Sequence, residues 1–408
     1  MQTQLADFIR GTPEGREADA ILRKCVHCGF CNATCPTYQL LGDELDGPRG
    51  RIYLMKQVLE GAAPTAATRL HLDRCLTCRS CESTCPSGVQ YGRLVDIGRA
   101  IVERQVGRGP LEGAKRALLA AVLPNTGLFS FLLSIGRFFR PVLPGMLKKK
   151  IPAKDESSKQ FPAPRHARKV LALAGCVQPA IAPGINAAAA RALDRAGLSL
   201  VEAPGAGCCG AVRFHLNDQE AGRRDIRALI DAWWPMVERG EVEAIAMTAS
   251  GCGAFVREYG HLLAEDPAYR AKAERIAALT KDLSEILPAS AVAKDVAPLR
   301  VAFQSPCSLQ HGQQVRGKVE ALLRAAGHEL TPVAEGHLCC GSAGTYSILE
   351  PELSQRLRER KLAALGAGSP QAVATANIGC LAHLQGGSPV PQQDGSPVPI
   401  RHWVELLE

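Results

Sequence analysis

The stretch "CVHCGFCNATCP", Cys25 to Pro36, sets four thiols along one short run. The stretch "CLTCRSCESTCP", Cys75 to Pro86, repeats the same spacing and the same closing proline. Thiolates are soft ligands suited to iron and zinc. Cysteines three residues apart on a tight turn can aim their sulfurs at three corners of one cube. The fourth cysteine of the run cannot reach that cube, and the proline after it turns the chain away. It serves a second cube instead. The spacing therefore predicts two [4Fe–4S] clusters with crossed ligation. Cys25, Cys28, Cys31 and Cys85 make one set; Cys75, Cys78, Cys81 and Cys35 make the other.

Zinc is the competing metal, since it also accepts four thiolates. Zinc sites, however, usually split their ligands into two C-x2-C knuckles with a longer gap between. The compressed run followed by proline is the ligand pattern of bacterial two-cluster ferredoxins. Neither copy completes a site alone, which explains why the run is written twice. Arg23, Lys24, Arg74 and Arg79 flank the ligands. Nearby cations raise the potential of an anionic cluster, but each of these, taken singly, reads as an ordinary solvated charge. His27 and His71 read as hydrogen-bonded neighbours, because the thiolates already fill each cluster.

The other eight cysteines form a second repeat. "LALAGC" (Cys176), "GAGCCGA" (Cys208, Cys209) and "TASGCG" (Cys252) make one unit. "VAFQSPC" (Cys307), "GHLCCGSAG" (Cys339, Cys340) and "TANIGC" (Cys380) make the next. The single cysteines follow apolar strand-like runs, and ligands bind at the carboxyl ends of strands in open parallel sheets. Gly210 and Gly341 would let the backbone turn closely around a centre. Each unit thus offers four thiolates, a candidate third centre in the first and a candidate fourth in the second. An iron–sulfur centre, a zinc or smaller metal site, and metal-free structural or redox thiols all stay open. A simple disulfide between adjacent cysteines fits poorly, because it would be strained. His311 and His383 lie just past a cysteine, and as single histidines the plainer reading is that they are not ligands.

Positioning these groups requires two kinds of architecture. Around the first eight cysteines, "GRIYLMKQVLEGAA" and "GRLVDIGRAIVERQVG" carry apolar residues at helical spacing, which predicts a mainly helical domain over residues 1–110. Residues 111–168 read as an apolar helical hairpin and a linker. Ala117 to Gly136 carries no charge, but "PNTG" divides it into two short helices. Packing on a neighbouring domain or subunit is the plainer expectation. Shallow membrane contact is the sharper one, because the basic run "KKK" at 148–150 follows and cations flanking an apolar face suit an anionic interface. Strand–helix alternation after residue 168 predicts a parallel sheet in each unit. The units span 169–295 and 296–408. The fold class is α+β multidomain: a helical two-cluster domain followed by two repeated α/β modules.

Composition agrees. A hydrophobic share of 46% with 22% charged residues builds buried cores. A net charge of +8 over 408 residues, with only 5% aromatics, is too weak to argue for a nucleic-acid binder. All 16 cysteines fall within the motifs, which favours metal ligation in a reducing compartment over disulfides. The opening residues contain no secretory-type apolar run, and a cytoplasmic location follows as the expectation. Neither a G-x-G-x-x-G turn after a strand nor a Walker loop occurs, so flavin and nicotinamide are not expected in this chain.

Two ferredoxin-like runs followed by two Cys-Cys-Gly modules resemble the iron–sulfur subunits of membrane-linked flavin dehydrogenases. Within that group the chain looks most like the glycolate oxidase (glycolate dehydrogenase) iron–sulfur subunits. The stretches "FQSPCSLQHGQ", "CCGSAGTYS", "NIGCLAHL" and "PIRHWVELLE" carry the resemblance along with the two cysteine runs. It implies an electron-transfer subunit, inactive alone, whose FAD sits in a partner that oxidises a 2-hydroxy acid. Electrons would leave to a quinone or another acceptor, with the chain peripheral at the cytoplasmic face of the inner membrane. Subunits of lactate or glycerol-3-phosphate dehydrogenases are related alternatives. A catalytic heterodisulfide-reductase-like role is a further one. That relative's module ends in C-x-x-C, however, and here Phe255 and His383 stand where the last cysteine would be.

Overall fold

Proline presets the backbone angle of a first helical turn and lacks the N–H that would go unpaired there. The computed structural model, which describes residues 1–142, 144, 151–152, 159–293, 295–387, 390 and 396–408, uses this device repeatedly. Helices α1 (Pro13–Lys24), α2 (Pro36–Leu41) and α3 (Pro48–Leu59) all begin on proline. The proline closing the first cysteine run therefore starts a helix, whereas Pro86 lies in a turn. Three further helices complete the first domain: α4 (Ala66–Asp73), α5 (Ser80–Thr84) and α6 (Tyr91–Val106). Their apolar faces meet in one core built on Ile21, Leu22, Met55, Leu59, Leu94 and Ile101. A side chain at Gly98 would sit 2.5 Å from Met55 Sδ, so glycine there lets α6 close on α3.

Helices α7 (Pro110–Val122) and α8 (Thr126–Phe139) follow, bent by 107° at the "PNTG" break. Asn125 caps α8 through the Leu128 amide. Among the described residues no single helix is long and apolar enough to cross a membrane. The basic run at 148–150 lies outside the described residues.

Two four-stranded parallel sheets follow. The first holds β1 (Lys169–Ala172), β2 (Ser199–Glu202), β3 (Ala244–Met247) and β4 (Thr280–Asp282) in the order β2-β1-β3-β4. The second holds β5 (Arg300–Gln304), β6 (Glu329–Leu330), β7 (Ala372–Thr375) and β8 (Ile400–His402) in the order β6-β5-β7-β8. Register repeats with topology: Val170 pairs with Leu200 and Ala244, and Val301 pairs with Leu330 and Ala372.

Strand side chains alternate between faces, and here both faces are buried. Val170, Ala172, Ala244 and Ala246 share one core with Val301, Phe303, Ala372 and Ala374 of the other sheet. The opposite faces pack separately, Leu171 and Ile245 against Trp233, and Val373 against Leu365. The two modules are therefore fused through a common core. His402 locks this seam: its Nδ1 accepts from the Val404 amide, and its Nε2–H donates to Thr248 O at 2.9 Å.

Burial lowers the His402 pKa to about 4. The folded chain thus refuses a proton that the unfolded chain takes near the ordinary value of about 6.5. Stability from this group is complete above that value and is lost as pH falls toward 4. Urea titrations should show the parent losing more stability between pH 7 and pH 4 than His402→Gln, which keeps a donor for Thr248 O. Equal losses would contradict this account.

Candidate metal centres

Each cysteine run curls through left-handed backbone at the same two places. These are His27 and Gly29 (φ 60° and 85°) in the first run, and Thr77 and Arg79 (φ 52° and 60°) in the second. Such angles are costly for residues other than glycine and cluster at functional sites. They coil the loop so that its sulfurs converge. In the second run the Thr77 amide donates to Cys75 Sγ at 3.4 Å.

The structure brings Cys25, Cys28, Cys31 and Cys85 around one small cavity, walled by Phe30, Pro48 and Ile52. Burial, then Cys25, Cys85 and Cys28, push the Cys31 thiol up to about 11. Cys28 is the exposed member, and Val26 and Phe30 stand exposed beside it. Cys75, Cys78, Cys81 and Cys35 form the second set. Burial raises the Cys78 and Cys81 thiols, followed for Cys78 by Cys307 and then Cys35, and for Cys81 by Cys78 and Cys75. Sulfurs this close repel once deprotonated, so each set suits a cationic metal core that neutralises it. Both sets fit a thiolate-ligated cluster in number and chemistry.

Around the second set lie polar groups that periodicity alone did not single out. Arg51 is 1% exposed. It donates to His71 O (2.6 Å), Thr37 Oγ1 (3.1 Å) and the Asp46 carboxylate (3.4 Å). Burial opposes its charge, but Tyr91, Cys75, Cys35 and Asp46 outweigh that and hold its pKa above the usual value. Tyr91 Oη donates to Cys75 Sγ at 3.6 Å, and Arg99 donates to Cys75 O at 2.5 Å. One signal was available: Arg51 lies on the same helical stripe as Met55 and Val58, where an apolar residue would normally stand.

The flanking groups divide. Arg23 pairs with Asp19 at the surface, as a solvated charge should. Arg74 and Arg79 do not fit that expectation. Arg74 bonds Asp46 at 2.9 Å, while Arg79 bridges Glu82 and Glu258 at 2.8 and 2.9 Å. Domain packing draws both into ion-pair networks that spacing along the chain cannot reveal. His71 meets Asp46 at 3.1 Å and is a neighbour, as expected. Asp43, Asp46 and His71 also lie within metal-binding reach of one another, but Arg51 and Arg74 already neutralise the buried carboxylate.

In each α/β module the cysteines gather at the carboxyl ends of the strands. Cys176 follows β1, Cys208 and Cys209 follow β2, and Cys252 lies on the Ser250–Val256 helix after β3. Interaction with Cys208, then burial, raises the Cys176 thiol, while interaction with Cys176 and Cys209 lowers that of Cys208. In the second module Cys307 lies 3.8 Å from Cys339, and Cys340 lies 3.3 Å from Cys380. Gly210 and Gly341 take left-handed angles (φ 88° and 91°), and a side chain there would strike a helix carbonyl at 2.6 Å. Their amides reach Cys208 and Cys339 at 3.4 Å. Phe255 packs among Phe214 and Tyr259, and His383 meets Ser354 Oγ at 3.3 Å. Both ring nitrogens of His311 are engaged, by Ser83 Oγ and His337 O at 2.9 Å each.

The second module closes on the second thiol set. Cys78 and Cys307 pack against one cluster made of Leu76, Cys339, Tyr346, Leu353 and Leu357. The first module is tied to the helical domain mainly by charge, through Glu258 to Arg79 and Arg93. A cleft of about 3760 Å³ runs between these parts and touches Cys78, Cys176, Cys252 and Cys307. The hairpin spans them: Lys115 bonds Ile348 O and Thr126 bonds Gly175 O. Phe131, Phe138 and Phe139 of α8 point outward, 61%, 78% and 51% exposed.

Glu258 is largely buried and, although burial opposes its charge, Arg79 and Arg93 hold its carboxyl below the usual range. Its contribution is therefore present above the ordinary glutamate pKa and is lost as pH falls through the lowered one. Glu258→Gln should cost roughly 1–3 kcal/mol at pH 7, read by thermal unfolding, and the gap to the parent should close in acid. A gap that persists at pH 3 would argue against the ion pair as its cause.

Known proteins align with this geometry. A 4Fe-4S dicluster domain matches residues 21–89, and a cysteine-rich domain matches twice, at 170–257 and 301–385. The glycolate oxidase iron-sulfur subunit of Escherichia coli (strain K12) is 52% identical over 100% of this chain and 98% of its own length. The probable glycolate oxidase iron-sulfur subunit of Bacillus subtilis (strain 168) is 31% identical over 95% of this chain and 93% of its own. Lactate utilization protein A of Geobacillus thermodenitrificans (strain NG80-2) is more distant, 26% identical over 59% of this chain and 98% of its own length. With a helical dicluster domain, two cysteine-rich repeats and that identity along its whole length, the chain belongs to the glycolate oxidase iron–sulfur subunit family.

Proposed function

We propose that this chain carries electrons within a flavin-dependent 2-hydroxy-acid dehydrogenase complex. Glycolate is the substrate of that complex, and FAD is held by a partner subunit. One observation carries the reading: a thiol set open to the surface at Cys28 is followed by a buried set that packs against the cysteines of the second module. Cys25, Cys28, Cys31 and Cys85 would hold one [4Fe–4S] cluster, and Cys35, Cys75, Cys78 and Cys81 the other. When bound, such clusters supply one-electron storage, which a two-electron flavin donor requires.

The chain's own residues insulate and orient this path. Tyr91 and the Thr77 amide donate to Cys75 Sγ. Leu76, Leu353 and Leu357 form the apolar cluster against which Cys78 and Cys307 pack. Cys176, Cys208, Cys209 and Cys252, and likewise Cys307, Cys339, Cys340 and Cys380, are candidate further centres. Labour follows the segments 1–110, 111–168, 169–295 and 296–408. The outward apolar face of α8 supports a peripheral position at the cytoplasmic face of the inner membrane, with a quinone or another membrane acceptor as the outlet. Phe255 and His383 are both engaged elsewhere, which argues against heterodisulfide-type catalysis.

Anaerobic purification should give about 8 iron atoms per chain from the two clusters, and more if the α/β modules bind iron. Crossed ligation predicts that Cys35→Ser gives the electron paramagnetic resonance spectrum of Cys78→Ser, and Cys85→Ser that of Cys28→Ser. Uncrossed pairs would refute it. The complex with its flavin subunits should oxidise glycolate with an artificial acceptor while this chain alone does not. Turnover by the isolated chain would overturn the reading.

A further inference from the structure

Arg51 has a place in the second thiol set that its ion pair alone does not explain. Its guanidinium donates to Thr37 Oγ1 at 3.1 Å, and Thr37 Oγ1 lies 3.3 Å from Cys35 Sγ. Thr37 and Arg51 are each 1% exposed. A ligating Cys35 carries no proton, so a hydrogen bond between hydroxyl and sulfur must come from Thr37. An N–H of Arg51 occupies one of the two lone pairs of the Thr37 oxygen and fixes the hydroxyl between Asp46 O at 2.8 Å and Cys35 Sγ at 3.3 Å, the two acceptors within reach of its single hydrogen. Counted with Asp43 and Asp46, the guanidinia of Arg51, Arg74 and Arg99 leave one positive charge in excess. The buried Asp46 carboxylate faces two guanidinia, Arg51 and Arg74, together with His71. A third guanidinium, Arg99, bonds the Cys75 carbonyl. Around the first set the corresponding cation, Arg49, is about a third exposed and paired with Glu44.

Adding an electron to a thiolate-ligated cluster adds negative charge where the dielectric is low. Cations and hydrogen bonds to the sulfurs stabilise that state. We propose that Arg51, acting through Thr37 on Cys35, is a positioning residue that raises the reduction potential of the cluster held by Cys35, Cys75, Cys78 and Cys81. This rests on the reading that both sets hold [4Fe–4S] clusters. Arg51 would thus draw electrons inward, to the set that packs against Cys307.

The test is a redox titration, followed by electron paramagnetic resonance, of the full chain purified anaerobically in its complex. Parent, Thr37→Val, Arg51→Lys and Arg51→Met are compared. The affected signal is assigned by its loss in Cys78→Ser. Arg51→Met should disfavour reduction of that one cluster at least tenfold, which is 59 mV for one electron. Arg51→Lys, which keeps the charge, should recover part of the shift. Thr37→Val should shift the same cluster in the same direction while the other stays in place. Where Arg51→Met loses iron, Thr37→Val and Arg51→Lys decide. Unshifted potentials in iron-replete variants overturn the proposal. So does loss of one cluster from every variant, which would leave Arg51 a folding element only. A parent without two cluster signals would instead sink the reading beneath it.

Discussion

A tight loop can present three sulfurs to one cube, and a cube needs four. Most of the helical domain answers that shortfall. In the crossed ligation proposed above, each run takes its last ligand from the other, and that arrangement requires the two loops to face one another in the fold. Helices α3 and α6 close at Gly98 to bring them there, and Met1 is tied to the Cys25 carbonyl at 2.7 Å. Left-handed backbone at matching positions of both runs is part of the same constraint. Neither loop is a complete site, and neither has a reason to hold its shape alone.

Concentrating thiolates in a buried space brings an electrostatic cost, and the two sets meet it differently. The first opens Cys28 to water. The second is buried except at Cys78, which is half-buried at the cleft, and burial would favour neutral thiols there; guanidinia from α3 and α6 supply the compensating charge instead. Buried arginine without partners would be destabilising, yet Arg51 and Arg99 are satisfied by carbonyls, hydroxyls and Asp46. The contrast leaves one set open to the surface and the other mostly buried.

The duplicated α/β modules share topology and register, but their surroundings separate them. The second docks on the buried thiol set through an apolar contact. The first meets the helical domain through Glu258 and its arginines. Equivalent cysteines therefore sit in unequal positions: both groups reach the cleft, but only those of the second module share an apolar cluster with Cys78. A common core between the sheets makes that asymmetry rigid.

Much of this was legible in the chain itself. Cysteine spacing is local geometry, so both runs and the two modules could be read from it. Strand–helix alternation and the glycines after each cysteine pair were equally plain, because they depend on periods and turn chemistry within a few residues. Arg74 and Arg79 read as solvated because their partners, Asp46 and Glu258, are 28 and 179 residues away. Arg51 looked like one more helix residue until its stripe proved buried. By itself the sequence determined which atoms could bind metal. Only the tertiary structure decided which set is enclosed, which cations face it, and which module it touches, because those depend on contacts between distant segments that no local period encodes.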